Sequence, residues 1–246
     1  LVPVEQSFIY EKIDREFLVN MYWQSQTFLF LKRAHKWFPI IEPILAKNNI
    51  PDDFKYLAVI ESGLMNVTSP SGAKGFWQFM PKTAKGHHME VNEFVDERYK
   101  VELATEAACE YLNQAYNKFG NWTLAAASYN MGKAGLERRL TQQQVNSYYD
   151  LLLNQETGRY VYRILAVKEI LANPNNFGFY LDDEDYYSLP KYNEVTVDST
   201  INNLVQFSIN MGITYKELKD LNPWLRDKSL PNEKHKVYSI KILDID

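Results

Sequence analysis

The sequence predicts a mainly α-helical domain followed by a small α+β module at the C-terminal end. Through residue 174, apolar residues recur every three or four positions, which is the spacing of a helix that buries one face. Beyond residue 190, two alternating stretches enclose two short helical ones, and alternation is typical of half-buried strands. We therefore expect a helical domain over residues 1–176, a linker over residues 177–190 and a module over residues 191–246.

The size and composition are those of a chain that can bury a substantial core. It has 246 residues, of which 46% are hydrophobic and 14% are aromatic. The formal net charge of -4 gives no general attraction to polyanions, so nucleic acid is not an expected partner. The histidines and the single cysteine lack the spacing of a zinc site, and we expect no metal ion and no organic cofactor.

The N-terminal region predicts two helices. From Glu11 to Trp37 the apolar residues mostly keep helical spacing. We expect Pro39 and Pro43 to break this helix, because proline lacks the backbone N–H that a helix interior needs. A second helix is then expected to run to Asn48.

The next predicted helix ends in an acid. Pro51 suits its first turn and Gly63 suits a left-handed stop, so Glu61 lies in the last turn. Phe54 and Leu57 precede Glu61 by seven and four residues, so the carboxyl continues the stripe that faces the core. Burial and the unpaired carbonyls of the helix end both disfavour the ionised form, which predicts an acid that can donate a proton near neutral pH. The alternative is a buried Glu paired with an Arg or Lys.

Three more helices are predicted before the linker. The clearest runs from Val101 to Phe119, and Cys109 on its apolar side is interpreted as a core thiol. Residues 122–129 are apolar nearly all round, which is typical of a helix buried among others. Residues 158–172 form the last helix of this domain, which ends before Pro174.

The C-terminal module is predicted to follow the order strand, helix, helix, strand. Residues 192–197 and 237–243 alternate as strands do, and residues 201–211 and 215–221 have helical spacing. This order resembles a LysM module, although the usual opening of that module is missing. Glycan binding and packing against the rest of the chain are therefore both open as its role.

Four motifs follow Glu61 in a fixed order. They are SPSGAKGFWQFMP at residues 69–81, DER at residues 96–98, AAASYNMG at residues 125–132 and QETGRYV at residues 155–161. Together they resemble the lytic transglycosylases of glycoside hydrolase family 23, which have a goose-type lysozyme-like fold. Within that family the chain is similar to the membrane-bound lytic transglycosylase D subgroup. The resemblance covers residues 51–174, about half of the chain.

The resemblance implies a lysozyme-like domain that cleaves the MurNAc–GlcNAc β-1,4 bond of peptidoglycan without water and leaves a 1,6-anhydroMurNAc end. It implies that Glu61 is the general acid and then the base. The residues that it implies for substrate binding are Ser69, Gln78, Met80, Tyr129, Asn130 and Tyr160. Gln78 and Asn130 would bond the acetamido sugar, and Met80 would form an apolar wall. Glu156 also matches a motif position, where a structural role is at least as well supported.

Two other functions stay open at this point. Ordinary glycosidases use two carboxylates, and Asp96 and Glu97 are the nearest candidates for the second. Arg98 beside them favours a structural ion pair instead. The alternatives are a lysozyme-type peptidoglycan hydrolase on the same fold and a non-catalytic cell-wall-binding protein, and the intact Glu61 argues against the second.

The expected partner is the glycan strand of peptidoglycan, and the expected location is the periplasm of the bacterial cell envelope. The first ten residues are neither a basic signal peptide nor a lipidated cysteine, and no apolar run is long enough to span a bilayer. The chain lacks an initial Met, so we interpret its start as a processing boundary and expect any outer-membrane anchor upstream of it. No candidate site residue lies beyond residue 190, so removal of the module is expected to leave cleavage of soluble fragments unchanged.

Overall fold

The described residues are mostly helical and include one small sheet, which confirms the predicted fold class. The computed structural model describes residues 2–244, so residues 1, 245 and 246, at the outer ends of the predicted domains, lie outside the described residues. The described elements are α1 (Ser7–Tyr22), α2 (Gln24–Lys47), α3 (Lys55–Ser62), α4 (Pro81–Gly86), α5 (Val101–Phe119), α6 (Trp122–Met131), α7 (Lys133–Gln143), α8 (Gln155–Ala172), β1 (Tyr192–Val197), α9 (Leu204–Asn210), α10 (Tyr215–Leu221) and β2 (Tyr238–Leu243).

The described residues form two compact units, and each is built from two separate stretches of chain. The first unit contains residues 2–64 and 108–187, and the second contains residues 65–107 and 188–244. The chain passes from the second unit back to the first within α5. The C-terminal module therefore belongs to the same compact unit as the stretch that directly follows α3.

In the first unit, α1 packs against α8, and α3 packs against both α2 and α8. A partly buried ion pair joins α1 to α8, because Arg159 Nε and Nη2 donate to the two carboxylate oxygens of Glu16 at 2.7 and 3.0 Å. Glu16 is only 1% exposed, and its charge is balanced by this bidentate partner together with Arg15, whose Nη1 donates to Glu16 Oε1 at 2.8 Å. The pair fixes the packing of the two helices.

The break between the first two helices lies at Trp23 and not at the prolines. Trp23 leaves the helical conformation with φ -87° and ψ 58°, whereas α2 continues through Pro39 and Pro43. A proline in a helix interior costs about 3 kcal/mol, because a hydrogen bond is lost and the preceding turn is crowded. Ile41 and Leu45, which are 0% and 1% exposed, lie on the continuing helix, and their burial offsets that cost. The predicted break at the prolines is therefore wrong.

The helix that carries the acid ends as predicted. A short 3-10 turn at Asp52–Phe54 leads into α3, and Gly63 ends it in a left-handed conformation with φ 62°. A Cβ at Gly63 would lie 3.1 Å from a ring carbon of Phe30, so both the conformation and the close contact favour glycine. Leu57 is fully buried, which confirms the inward stripe that leads to Glu61.

Of the helices α5 to α8, three were predicted from the sequence and one was not. The bounds of α5 are as predicted, and Cys109 is buried. The helix α6 continues to Met131, and α8 begins at Gln155, where the Asn154 side chain accepts a hydrogen bond from the Thr157 N–H at 2.8 Å. The sequence does not indicate α7, because only one of its residues is buried and it has no apolar stripe. It does not indicate the six-residue α4 of the second unit either.

Much of the segment predicted as a linker packs onto the first unit. Phe179 is 2% exposed and lies in one buried cluster with Leu31 and Ile170. The ring of Phe177 stacks on the ring of Phe17, with 5.6 Å between their centroids. Residues 177–187 therefore contribute to the core of the helical unit, although they lack a regular period.

The C-terminal module has the predicted order of elements. The strands β1 and β2 pair antiparallel, with Tyr192 opposite Leu243 and Val197 opposite Tyr238. The helix α9 is shorter than predicted, because the Asn203 side chain caps its start by accepting hydrogen bonds from two backbone N–H groups at 2.9 and 3.1 Å.

Candidate active site

Glu61 lies in the last turn of α3 and is half-buried. Its carboxyl oxygen Oε1 accepts a hydrogen bond from the hydroxyl of Tyr160, which comes from α8. The Tyr160 side chain is 1% exposed and is therefore held rigidly by its surroundings. Because α3 and α8 pack together, the contact between the acid and the tyrosine is built into the helix packing.

Burial raises the pKa of Glu61 above its ordinary value. The hydrogen bond from Tyr160 and the positive charge of Arg163 lower the pKa, and the negative charge of Glu156 raises it, but burial outweighs the lowering contributions. The predicted tendency of Glu61 to stay protonated is thus confirmed in direction.

Arginine side chains occupy the carbonyl end of α3, which the sequence predicted to be unpaired. Arg163 Nη2 donates to the carbonyl oxygen of Ile60 at 2.9 Å, and Arg33 Nη1 donates to that of Gly63 at 3.2 Å. Two guanidinium groups therefore satisfy backbone carbonyls at the negative end of the helix. Sequence reasoning missed both arginines. Arg163 could have been found, because it lies three residues after Tyr160 on the same helix.

Tyr129 is the third predicted residue that the first unit brings to the acid. Burial, followed by the negative charge of Glu61, raises the pKa of Tyr129 well above its ordinary value. Its ring contacts the ring of Tyr111 edge to face, with 5.1 Å between the centroids. The pKa of Tyr160 is also raised well above its ordinary value, by burial and then by Glu61. Both tyrosines thus remain hydrogen-bond donors over the physiological pH range.

Asn130 is held at both ends of its side-chain amide. Its Nδ2 donates to Glu156 Oε1 at 3.0 Å, and its Oδ1 accepts from Thr157 Oγ1 at 2.7 Å. Thr157 is 1% exposed and was not identified as a site residue from the sequence. These contacts give Glu156 a structural role at the start of α8.

The other three predicted substrate-binding residues lie in the second unit, on a stretch that we call the substrate loop, residues 67–80. Ser69 Oγ accepts a hydrogen bond from the Ala73 N–H at 3.0 Å. Gln78 has a left-handed backbone with φ 49°, and its Nε2 donates to the carbonyl oxygens of Val67 and Gly75 at 3.2 and 2.7 Å. These two contacts hold the loop through the amide nitrogen of Gln78.

Met80 ends the substrate loop and is 42% exposed. Its backbone is extended, and Pro81 directly after it begins α4. An exposed thioether at this position can offer an apolar surface to a ligand. The role as an apolar wall stays a prediction.

The substrate loop is fastened to a buried ion pair in the second unit. Arg98 donates from Nε and Nη2 to the two oxygens of Asp96, each at 2.8 Å, and both residues are buried. Arg98 Nη1 also donates to the carbonyl oxygens of Gly72 and Phe79 at 3.2 and 3.0 Å. The predicted structural ion pair is present, and Asp96 is committed to it.

Between residues 2 and 244, no group of three His, Cys, Asp or Glu side chains could hold a metal ion. None of the helices described for these residues is long and apolar enough to cross a membrane.

Two segments of the chain match known domain families. Residues 38–151 match the Transglycosylase SLT domain, and residues 193–244 match the Soluble lytic transglycosylase C-terminal LysM-like domain. The first segment contains Glu61 and Tyr129 and ends before Tyr160. The second contains α9, α10, β2 and all but the first residue of β1.

Relatives with curated descriptions include the Membrane-bound lytic murein transglycosylase D of Escherichia coli (strain K12). It is 26% identical over 204 residues, which are 80% of this chain and 44% of that protein. A Putative tributyltin chloride resistance protein of Alteromonas sp. (strain M-1) is 27% identical over 126 residues, which are 50% of this chain and 61% of that protein. The chain thus spans less than half the length of the first relative and about three fifths of the second.

Among solved structures, an inactive mutant of the lytic transglycosylase Slt from Pseudomonas aeruginosa aligns with a TM-score of 0.45 and 19% identity, over 62% of this chain and 26% of that one. The resemblance read from the four motifs and from the C-terminal order of elements is confirmed by the two domain matches and by the homology to transglycosylase D. The chain therefore carries a transglycosylase SLT domain followed by a LysM-like C-terminal domain.

Proposed function

We propose that this protein is a peptidoglycan lytic transglycosylase in which Glu61 acts first as general acid and then as general base. The observation that carries the proposal is the environment of Glu61, a half-buried carboxyl with a raised pKa that accepts a hydrogen bond from Tyr160. This carboxyl lies within the matched transglycosylase domain. The similarity to the Escherichia coli relative, a lytic murein transglycosylase, supports the same substrate class.

In the first step, the neutral carboxyl of Glu61 gives its proton to the oxygen of the MurNAc–GlcNAc β-1,4 bond. The bond between that oxygen and C1 of MurNAc breaks, and GlcNAc leaves with a free hydroxyl group. The N-acetyl group of the same MurNAc stabilises the positive charge at C1. The raised pKa favours this step, because at a given pH it increases the fraction of Glu61 that still holds the proton to be donated.

In the second step, the carboxylate of Glu61 takes the proton from the C6 hydroxyl of the same MurNAc. The C6 oxygen then bonds to C1, which closes the 1,6-anhydro ring, and Glu61 regains its starting proton. No water is consumed. The attacking hydroxyl belongs to the same sugar as C1, so it has the high effective concentration of an intramolecular group.

The remaining candidate residues are proposed to bind and orient the sugars. Tyr129 and Tyr160 act as neutral donors, because their pKa values lie well above the ordinary one. On the substrate loop, the hydroxyl of Ser69, the amide oxygen of Gln78 and the thioether of Met80 offer the mixture of polar and apolar contacts that a carbohydrate requires. In the first unit, the hydrogen bonds of Asn130 to Glu156 and Thr157 on α8 hold its side-chain amide in place.

A lysozyme-type hydrolase is the second candidate, and the carboxylates nearest in sequence disfavour it. A hydrolase of the ordinary kind needs a second carboxylate to act as nucleophile or to activate water. Asp96 is buried in a bidentate pair with Arg98, and Glu97 Oε1 lies 3.0 Å from Lys236 Nζ. Both acids are thus engaged elsewhere.

The proposed partner is the glycan strand of peptidoglycan, and the proposed location is the bacterial periplasm. The homology to a protein described as membrane-bound supports the cell envelope.

Product analysis tests the proposed function directly. Purified sacculi are digested with the protein in ¹⁸O-labelled water, and the released muropeptides are analysed by mass spectrometry. We expect 1,6-anhydroMurNAc ends without the label. Reducing ends that carry ¹⁸O would identify a hydrolase, and an absence of soluble products would leave only the cell-wall-binding alternative.

A further inference from the structure

The C-terminal module shares a hydrophobic core with a stretch of the transglycosylase domain. Within the second unit, Val95 and Tyr99 lie in the same buried cluster as Leu218, Trp224 and Leu225. Val95 and Tyr99 belong to the matched transglycosylase segment, and the other three belong to the LysM-like segment. Residues from the two matched segments thus form one hydrophobic core.

The backbones of these two stretches also pair. The Asp96 N–H donates to the carbonyl oxygen of Trp224 at 2.9 Å, and the Arg226 N–H donates to that of Phe94 at 2.7 Å. Val95 and Leu225 form the β-bridge between them. This pairing fixes the backbone at Asp96, whose carboxylate binds the guanidinium group of Arg98.

Charged side chains extend the contact. Lys236 Nζ lies 2.7 Å from Glu90 Oε2 and 3.0 Å from Glu97 Oε1. Tyr238 donates its hydroxyl to Glu90 Oε2 at 2.9 Å. Glu97 is 6% exposed, so loss of Lys236 would leave a buried carboxylate without this neutralising partner.

Residues 90–98, which contact the module, also contact the substrate loop through Arg98. Arg98 Nη1 bonds to the carbonyl oxygens of Gly72 and Phe79, and Phe79 lies between Gln78 and Met80. The Gly72 N–H in turn donates to the carbonyl oxygen of Ser69 at 2.9 Å. A continuous series of contacts therefore runs from the module, through residues 90–98, to the loop.

We propose that the C-terminal module positions the substrate loop, with Lys236 as a positioning residue that acts through residues 90–98. The inference rests on the proposed function only in that the loop must bind substrate for its position to affect turnover. It replaces the expectation that removal of the module leaves cleavage unchanged, because the module needs no cleft residue of its own to control the loop.

The test compares Lys236→Met with Lys216→Met in the full chain. Lys216 lies on α10, is 84% exposed and forms an ion pair with Asp220 in the same module, so it controls for the loss of a lysine charge. Hydrogen exchange of the amides of Ser69, Gly72 and Gly75 is measured without substrate. We expect exchange about tenfold faster in Lys236→Met and unchanged in Lys216→Met. Lys236→Arg, which keeps the charge, should restore slow exchange.

Kinetics on soluble glycan fragments give a second measurement at a temperature where both variants are folded. We expect Lys236→Met to raise KM several-fold, whereas Lys216→Met leaves it unchanged. Unchanged exchange in the loop of Lys236→Met would overturn the proposal. If Lys236→Met does not fold, Tyr238→Phe, which removes one hydrogen bond to Glu90, takes its place in the comparison with Lys216→Met. Because exchange is measured without substrate, failure of the proposed function would not affect this result.

Discussion

At the scale of single residues, the protonation of Glu61 depends on opposing contributions. Burial favours the neutral acid, and the hydroxyl of Tyr160 and the charge of Arg163 favour the carboxylate. A group that must donate a proton and then retrieve one needs both forms to be accessible. The tyrosine and the arginine therefore keep the carboxylate accessible at a site where burial alone would disfavour it.

Replacement of Glu61 by Gln tests the proposed acid and base directly. The amide keeps the shape of the side chain but can neither give up nor take back the proton. General acid and general base assistance are each worth about 10²–10⁴ in rate, so we expect release of muropeptides to fall by at least about 10². Binding of glycan fragments should persist. Retention of most of the activity would show that another residue is the acid.

The raised pKa of Glu61 predicts that its contribution to the stability of the folded protein varies with pH. The folded state raises the pKa of Glu61, so over the window above its unfolded value, about 4.3, the folded protein keeps a proton that the unfolded chain has lost. The stabilisation that Glu61 contributes is complete below its unfolded pKa and is lost as the pH rises through its pKa in the folded protein. Glu61→Gln cannot titrate, so its melting temperature relative to wild type should increase from pH 4 to pH 7. A difference that does not vary with pH would contradict the raised pKa.

At the scale of elements, the substrate loop depends on one close approach between backbones. A Cβ at Gly75 would lie 1.9 Å from the carbonyl oxygen of Arg98, whereas a Cβ at Gly72 would meet nothing within 4 Å. The two glycines have similar left-handed conformations, with φ 79° and 86°. Gly75 is thus required by contact as well as by conformation.

The pair Gly75→Ala and Gly72→Ala separates these two causes. Both variants acquire the strain of a left-handed alanine, roughly 1–2 kcal/mol. Only Gly75→Ala must also displace the Arg98 backbone, and overpacking of this kind costs about 1–3 kcal/mol more. Urea unfolding should therefore show a lower free energy of unfolding for Gly75→Ala. Equal values for the two variants would refute the contact.

At the scale of the whole molecule, residues 177–187 complete the core of the helical unit. Phe179 is 2% exposed beside Leu31 and Ile170, and the neighbouring Tyr180 is 71% exposed. A helical domain cut after residue 176 would lose this aromatic side chain and leave apolar surface open. The packed segment therefore extends the helical unit beyond its last helix.

Phe179→Ala and Tyr180→Ala form a matched pair for this claim. Truncation of a buried Phe typically costs about 3–5 kcal/mol, because apolar contacts are lost and a cavity is left. A surface substitution usually changes stability by no more than about 0.5 kcal/mol. Thermal unfolding should therefore show a large decrease only for Phe179→Ala. Similar melting temperatures for both variants would mean that residues 177–187 do not belong to the core.

The features that the sequence predicted well were local ones. The bounds of α5, the glycine stop after Glu61 and the order of the C-terminal elements all follow from short-range periodicity and capping. The break at Trp23 was missed because neither glycine nor proline marks it, and α7 was missed because it buries only Leu136.

The candidate site shows the same limit. Glu61 and its protonation tendency could be predicted, because the stripe and the helix end lie within one segment. The contact of Arg33 with the end of α3 could not, since Arg33 lies on a helix far away in the chain and no motif marks it, whereas Arg163 lies one helical turn after the motif residue Tyr160. The dependence of the substrate loop on the module likewise arises from tertiary contacts between distant segments.

The division of the second unit between residues 65–107 and residues 188–244 has a consequence for biosynthesis. The first stretch leaves the ribosome well before its partner, and at about 5–20 residues per second it waits several seconds for the chain that completes its core. During that interval Val95 and Tyr99 lack the side chains that bury them in the finished unit. We expect the substrate loop to acquire its final conformation only after β2 has emerged from the ribosome.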